Sequence, residues 1–167
     1  MKKISIIFVL LLLMLSFSSC AFFTYKLSDR SLDSDNKILK SLGEYVDFEF
    51  YSEGEFQDYT DYAKVFFSSA NVAENEYFTK MQEADITNLN EHLDDFEGWI
   101  ETYKEGDGSR EIVVNYDFDR SIIDTYDYIY IESETLEMGN GMTSYSRYNI
   151  YFLDTQTQIL YYFHNNI

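Results

Sequence analysis

The chain has 167 residues, with 30 Asp and Glu against 12 Lys and Arg, a formal net charge of −18, one cysteine and no proline. Such a balance repels nucleic acid and anionic headgroups, which excludes nucleic-acid binding, and a lone cysteine excludes an intrachain disulfide. The length suits one domain with a leader and a tether rather than two domains.

Lys2 and Lys3 precede an uncharged run from Ile4 to Tyr25 whose dense apolar part is Ile6 to Leu15. That order, a basic start followed by a short greasy segment, is the form of an export signal. Ser16, Phe17, Ser18, Ser19 and Cys20 follow, and small residues at this distance place the cut between Ser19 and Cys20.

The tetrad Phe17-Ser18-Ser19-Cys20 resembles the lipobox of bacterial lipoproteins, although Phe17 stands where an aliphatic residue is usual. The resemblance implies that Cys20 receives a diacylglycerol on its thiol and becomes the lipid-bearing N-terminus, palmitate-like chains holding the protein to the membrane. Physical chemistry supports such an anchor: one chain binds a bilayer reversibly, each buried methylene adds about 0.8 kcal/mol, and two chains hold stably. The alternative is an uncleaved segment, since the 22 uncharged residues from Ile4 to Tyr25 can span a bilayer of about 30 Å. Under either reading the basic start stays in the cytoplasm and the rest is extracytoplasmic, in the cell envelope.

Residues 1–19 are therefore expected to be a signal peptide, 20–36 a lipidated N-terminus with a flexible tether, and 37–167 a single domain. Tyr45 to Tyr51 alternates Val46, Phe48 and Phe50 with polar or amphipathic neighbours and reads as a short strand. Ser52 and Glu55 have capping-box spacing, and Phe56, Tyr59, Ala63, Phe66 and Ala70 recur at three and four, so a helix is expected over about 55–69. A second capping form at Thr79–Gln82 opens a helix with the stripe Ile86, Leu89, Leu93 and Phe96, opposed by Glu91, Asp94, Asp95 and Glu97. Gly98 is the expected stop, with Trp99 to Tyr103 either a last turn or a strand.

From Glu111 onward, strand signals dominate in EIVVNYDF, YDYIYIESETLEM, SYSRYNIYFL and QILYYFH, separated by Gly139-Asn140-Gly141 and by Asp154 to Thr157. The expected fold is α+β, with two helices followed by an antiparallel meander sheet in a single small domain. The wording FQDYTDYAK, YDFDRSIIDTYDY and YFHNNI resembles small lipoproteins encoded in bacterial genomes, a likeness that carries no activity with it.

Asp117, Asp119, Ser121, Asp124 and Asp127 place oxygen ligands at alternating positions, as calcium requires. Ile122 and Tyr128, however, stand where an EF-hand needs its glycine and its bidentate glutamate. Asp33, Asp35 and Glu44 mimic the same loop, but Lys37 and Ile38 break it, so no metal and no cofactor is assigned. His92 and His164 are the only imidazoles and form neither a zinc signature nor part of a nucleophile motif. Thirty acids ensure some carboxylate pair at glycosidase spacing, which makes that signal weak. Sixteen tyrosines and fourteen phenylalanines serve first as core, with Tyr126, Tyr128 and Tyr130 expected to alternate outward.

The leading expectation is a lipid-anchored, extracytoplasmic, non-catalytic binding module that offers an acidic, tyrosine-rich surface to a protein, peptide or cell-wall partner. Cys20 is its lipidation site, and no catalytic residue is assigned. The alternatives are a cell-envelope hydrolase using paired carboxylates, or a protein that sequesters cationic antimicrobial molecules.

Overall fold

In the computed structural model, residues 37–55, 58–137 and 143–166 are described. The segments expected to be a signal peptide (1–19), with the Phe17-Ser18-Ser19-Cys20 tetrad at its end, and a tether (20–36), together with Phe56 and the turn expected at Gly139-Asn140-Gly141, lie outside them. The chain divides into two units, Met1–Lys40 and Ser41–Ile167. Of the first, Lys37 to Lys40 are described, and they open the short helix α1, Lys37–Leu42. Within the second, the Leu42 carbonyl accepts the Asn71 N–H at 2.8 Å, and Asn75 Nδ2 donates to the Ser41 carbonyl at 3.1 Å.

Six strands follow: β1 (Tyr45–Glu55), β2 (Asp58–Phe67), β3 (Thr79–Lys80), β4 (Tyr128–Glu137), β5 (Thr143–Asp154) and β6 (Ile159–Asn166). They form one sheet in the order β1-β2-β6-β5-β4-β3, and every neighbouring pair is antiparallel. The fold is thus α+β with an antiparallel sheet, and β4, β5 and β6 make the meander. Between β3 and β4 run helices α2 (Glu83–Asp107) and α3 (Glu111–Asn115) and a 3-10 turn at Arg120–Ile122.

Helix α2 buries Leu89, Leu93, Phe96 and Ile100 among Tyr62, Tyr148, Ile150, Phe152 and Phe163 of the sheet. Burying each of these large side chains contributes roughly 1.5–3 kcal/mol. Edge-on ring contacts order the layer, with Phe96 and Phe118 meeting Phe163 at centroid distances of 5.3 and 5.0 Å. A polar string also crosses between helix and sheet: Thr60 Oγ1 bonds the Tyr103 hydroxyl and the Asn165 amide oxygen, each at 3.0 Å.

Four expectations are corrected. Residues 58–67 are strand β2, not part of a helix over 55–69. Both faces of β2 are covered, so Thr60, Asp61, Tyr62 and Ala63 are all buried, and a strand buried on both sides loses its alternation and mimics helical spacing. Gly98 does not stop α2; it sits exposed in mid-helix, and the helix runs on through Trp99 and Tyr103 to Asp107. Its start is also shifted, because Asp85 Oδ2 accepts the Gln82 N–H at 2.9 Å while Thr79 belongs to β3. Finally, EIVVN is the short helix α3, which drives Ile112 into the core and leaves Val114 exposed.

Gly54, at φ +126, lies in β1 just before the β1–β2 hairpin turn, and a Cβ there would run into the Asp58 carbonyl oxygen. Substituting Gly54→Ala should lower the unfolding free energy, read from the denaturant midpoint in urea, by at least the cost of a left-handed alanine, about 1–2 kcal/mol. Substituting Gly98→Ala, whose Cβ meets nothing within 4 Å, should raise stability by about 0.5–1 kcal/mol in the same urea titration.

Candidate functional site

Acids on the helix side of the sheet are committed to internal partners. The Tyr148 hydroxyl donates to Asp95 at 3.0 Å, the Tyr116 hydroxyl to Glu97 at 2.8 Å, and the Tyr62 hydroxyl to Asp117 at 2.8 Å. Arg120 clamps Glu97 and Asp94, each at 2.7 Å, and Lys64 joins Asp117 and Glu49, each at 2.8 Å. Asp95 and Glu97 therefore do not simply face solvent, as the helical pattern implied; they flank the apolar stripe and reach tyrosines.

The titration behaviour follows this geometry. Burial raises Tyr62, Tyr116 and Tyr148 far above the ordinary phenol range, and the adjoining carboxylates push the same way. Burial also works to raise Asp117, but the bonds from Lys64 and Tyr62 outweigh it and hold the carboxyl below its usual range. A general acid of a hydrolase needs the opposite shift.

The calcium-like series is dispersed over separate tasks. Asp119 accepts the Ser121 N–H at 2.9 Å as the cap of the 3-10 turn, and Asp124 accepts the Tyr126 N–H. Buried Asp127 ties two loops, taking the Thr155 N–H at 2.9 Å and the Asp124 N–H at 3.1 Å. Desolvation raises Asp127 even against those bonds. Asp33 and Asp35 lie outside the described residues. Glu44 is exposed beside β1. Among the described residues, no three acidic, histidine or cysteine side chains are grouped to hold a metal ion.

On the opposite face, strand register assembles a polar row that spacing along the chain does not reveal. Ser52 pairs with Asp61, Asp61 with His164, His164 with Asn149, and Asn149 with Glu132. Asp61 and His164 are buried, while Glu132 is exposed. Asn149 Oδ1 accepts from Tyr162 at 2.9 Å and from His164 Nδ1 at 2.7 Å, so that nitrogen carries the imidazole proton. The Tyr59 ring lies 4.9 Å from the His164 ring. The other imidazole, His92, is buried on α2, stacked 4.1 Å from the Tyr145 ring and bonded to the Asn88 carbonyl at 2.9 Å.

The exposed end of the row opens into a groove of about 550 Å³ lined by Ile131, Glu132, Ser133, Glu134, Arg147 and Asn149. The Tyr130 hydroxyl donates to Glu132 at 2.7 Å, and Asn149 Nδ2 approaches the other oxygen at 3.4 Å. Arg110 and Arg120 are tied to carboxylates at 2.8 and 2.7 Å, whereas exposed Arg147, opposite Glu134 in register, makes no ion pair among the described residues. The groove thus offers a guanidinium, two solvated carboxylates, an amide and a neighbouring phenol. Of the tyrosines expected to point outward, Tyr126 is 68% exposed, while Tyr128 and Tyr130 are half-buried.

Compared with known proteins, the chain matches no family model, no curated protein and no solved structure. No helix among the described residues is long and apolar enough to cross a membrane.

Raised phenols stabilise the fold only while they stay protonated. Unfolding frees Tyr62, Tyr116 and Tyr148 to ionise near their ordinary value of 10.0, so their contribution to stability should be level below that pH and fall above it. The slope should approach about 1.4 kcal/mol per pH unit for each of these tyrosines, measured by urea unfolding against pH. Substituting Tyr62→Phe should reduce that slope.

Proposed function

We propose that the protein is a lipid-anchored, extracytoplasmic binding module, non-catalytic, that is held to the membrane through Cys20 and presents an acidic, tyrosine-bearing surface to a protein, peptide or cell-wall component. The observation that carries the binding reading is the groove at the β4–β5 end of the polar row. Its carboxylates Glu132 and Glu134 are exposed to water. What they and Arg147 provide is a charged, hydrogen-bonding cradle with a phenol at its side, the equipment of recognition.

This arrangement favours a ligand that carries an anionic and a cationic group a short distance apart, such as a peptide end whose terminal charge lies beside a side chain of opposite sign. The hydrolase alternative requires two acids converging on one bond, and the interior acids that stand close to other groups are occupied by tyrosines and bases. Cys20, behind its basic and apolar leader, supports the anchored location.

Two measurements test the proposal. Substituting Cys20→Ser should move the protein from the membrane fraction to the soluble fraction and remove the lipid mass from the intact product; unchanged fractionation and mass would refute the anchor. A pool of free-ended pentapeptides, compared with its acetylated and amidated counterpart, should shift the Asn149 and Arg147 side-chain resonances. Substituting Arg147→Ala should weaken that binding about tenfold by removing a charge-assisted pair. The absence of any shift at the groove would refute the site.

A further inference from the structure

The groove coincides with the end of an interrupted ladder. Four consecutive residues of β4, Ile131 to Glu134, line it, and because consecutive strand side chains point to opposite faces, the groove reaches around the open edge of β4. β3 covers only the start of that edge, pairing Thr79 with Ile129 and Lys80 with Tyr128. Asn75 Oδ1 holds the Tyr77 and Phe78 N–H groups at 2.9 and 3.2 Å, which folds the stretch before β3 back on itself. The pairing stops there.

Main-chain groups alternate sides along an antiparallel strand, and two hydrogen bonds fix which residues face which way. The Asp127 carbonyl accepts the Met81 N–H at 2.9 Å on the β3 side, so Ile129, Ile131 and Ser133, at steps of two, face that side as well. The Glu134 carbonyl faces β5, where it takes the Ser146 hydroxyl at 3.2 Å. Beyond Ile129 no strand lies on the β3 side among the described residues, and the N–H and C=O groups of Ile131 and Ser133 have no main-chain partner there. From Ile131 to Glu137 β4 carries neither the lysine nor the proline that commonly blunts an edge.

On the reading of the groove as a peptide site, we infer that the peptide is bound as a strand, lying along Ile131–Glu134 in line with β3 and setting a lysine or arginine opposite Glu134. Main-chain bonds to Ile131 and Ser133 supply affinity, and the alternating side chains supply selection. On one face the ligand meets Ser133 and Ile131, which packs on the core and suits aliphatic neighbours. On the other it meets two acids. Glu132 is held by neutral donors, the Tyr130 hydroxyl and the Asn149 amide, and exposed Glu134 makes no ion pair among the described residues. Arg147 is the single base of the lining, one strand further in, so the acids outnumber it. A cation opposite them is favoured, whereas a second copy of the chain would set Glu132 and Glu134 against themselves. The −18 net charge steers a basic segment in.

The test uses the detergent-extracted full chain and the free-ended peptide Val-Lys-Val-Lys-Val. One comparator is N-methylated at its third and fifth residues, which keeps charge and removes the N–H groups that would face β4; another has Glu in place of Lys. With the Lys peptide near saturation, the Ile131 and Ser133 amides should exchange at least about tenfold more slowly, and those of Glu132 and Glu134, which face β5, should change by less than about twofold. Each comparator should bind at least about tenfold more weakly. Substituting Glu134→Gln should weaken the Lys peptide about threefold, and the control Glu105→Gln on α2 should not. Shifts at Asn149 and Arg147 without slowing at Ile131 and Ser133, equal binding of the methylated peptide, or equal loss in the control would overturn the strand mode while leaving the groove a peptide site. No shift at Asn149 or Arg147 with any peptide would overturn both.

Discussion

The fold depends on hydrogen bonds from tyrosine hydroxyls to carboxylates. With 30 acids and 12 bases, salt bridges alone cannot satisfy the acids that flank the core. Phenols supply the missing donors without adding charge, and they bring large apolar rings with them. Tyr62 with Asp117 joins the sheet to the segment after α3, Tyr148 with Asp95 joins the sheet to α2, and Tyr116 with Glu97 joins the segment after α3 to α2. A hydrogen bond to a charged group contributes roughly 1.5–3 kcal/mol. The tyrosine content is thus explained by acidity as much as by core volume.

The same economy separates the two faces of the sheet. On the helix side nearly every polar atom that reaches inward belongs to a closed set: Tyr103, Thr60, Asn165 and Asp95 in one string, Arg120 with Glu97 and Asp94 in another. On the other side the polar row begins buried at Asp61 and His164 and ends in water at Glu132. The closed sets give α2 a fixed seat. The open row gives the groove its Asn149, whose carbonyl oxygen is fixed by Tyr162 and His164 while its amino group points toward Glu132. A side chain held from behind presents its remaining donors in a defined direction.

Much of this architecture was legible in the residues, and the exceptions have physical causes. The stripe Ile86, Leu89, Leu93, Phe96 announced α2, and the aromatic runs from Tyr126 onward announced the meander. The segment 58–67 misled because its burial on both faces erased the period of two. Gly98 misled because packing of Phe96 and Ile100 outweighs the modest intrinsic cost of one helical glycine. EIVVN carries strand-forming residues, yet the Tyr116 N–H closes on the Ile112 carbonyl at 2.9 Å, a local turn favoured by the burial of one isoleucine. The candidate site was the least legible part. Asp61, Asn149 and His164 lie about a hundred residues apart at the extremes, each reads singly as a polar interruption in an aromatic strand, and only antiparallel register aligns them.

The place of β6 has a consequence for how the chain acquires its shape. This strand comes last of the six along the chain but occupies a central position, between β2 and β5. Until it arrives, the β1–β2 hairpin and the β4–β5 hairpin have no common partner, and neither can share a sheet with the other. The decisive pairings span about a hundred residues, from Tyr59 with Asn166 to Phe66 with Ile159, so loop closure sets a slow pace. A polypeptide emerging N-terminus first through a narrow conduit would stay unsettled until Ile159–Asn166 had cleared it, and vectorial emergence would end in a single late collapse rather than stepwise growth.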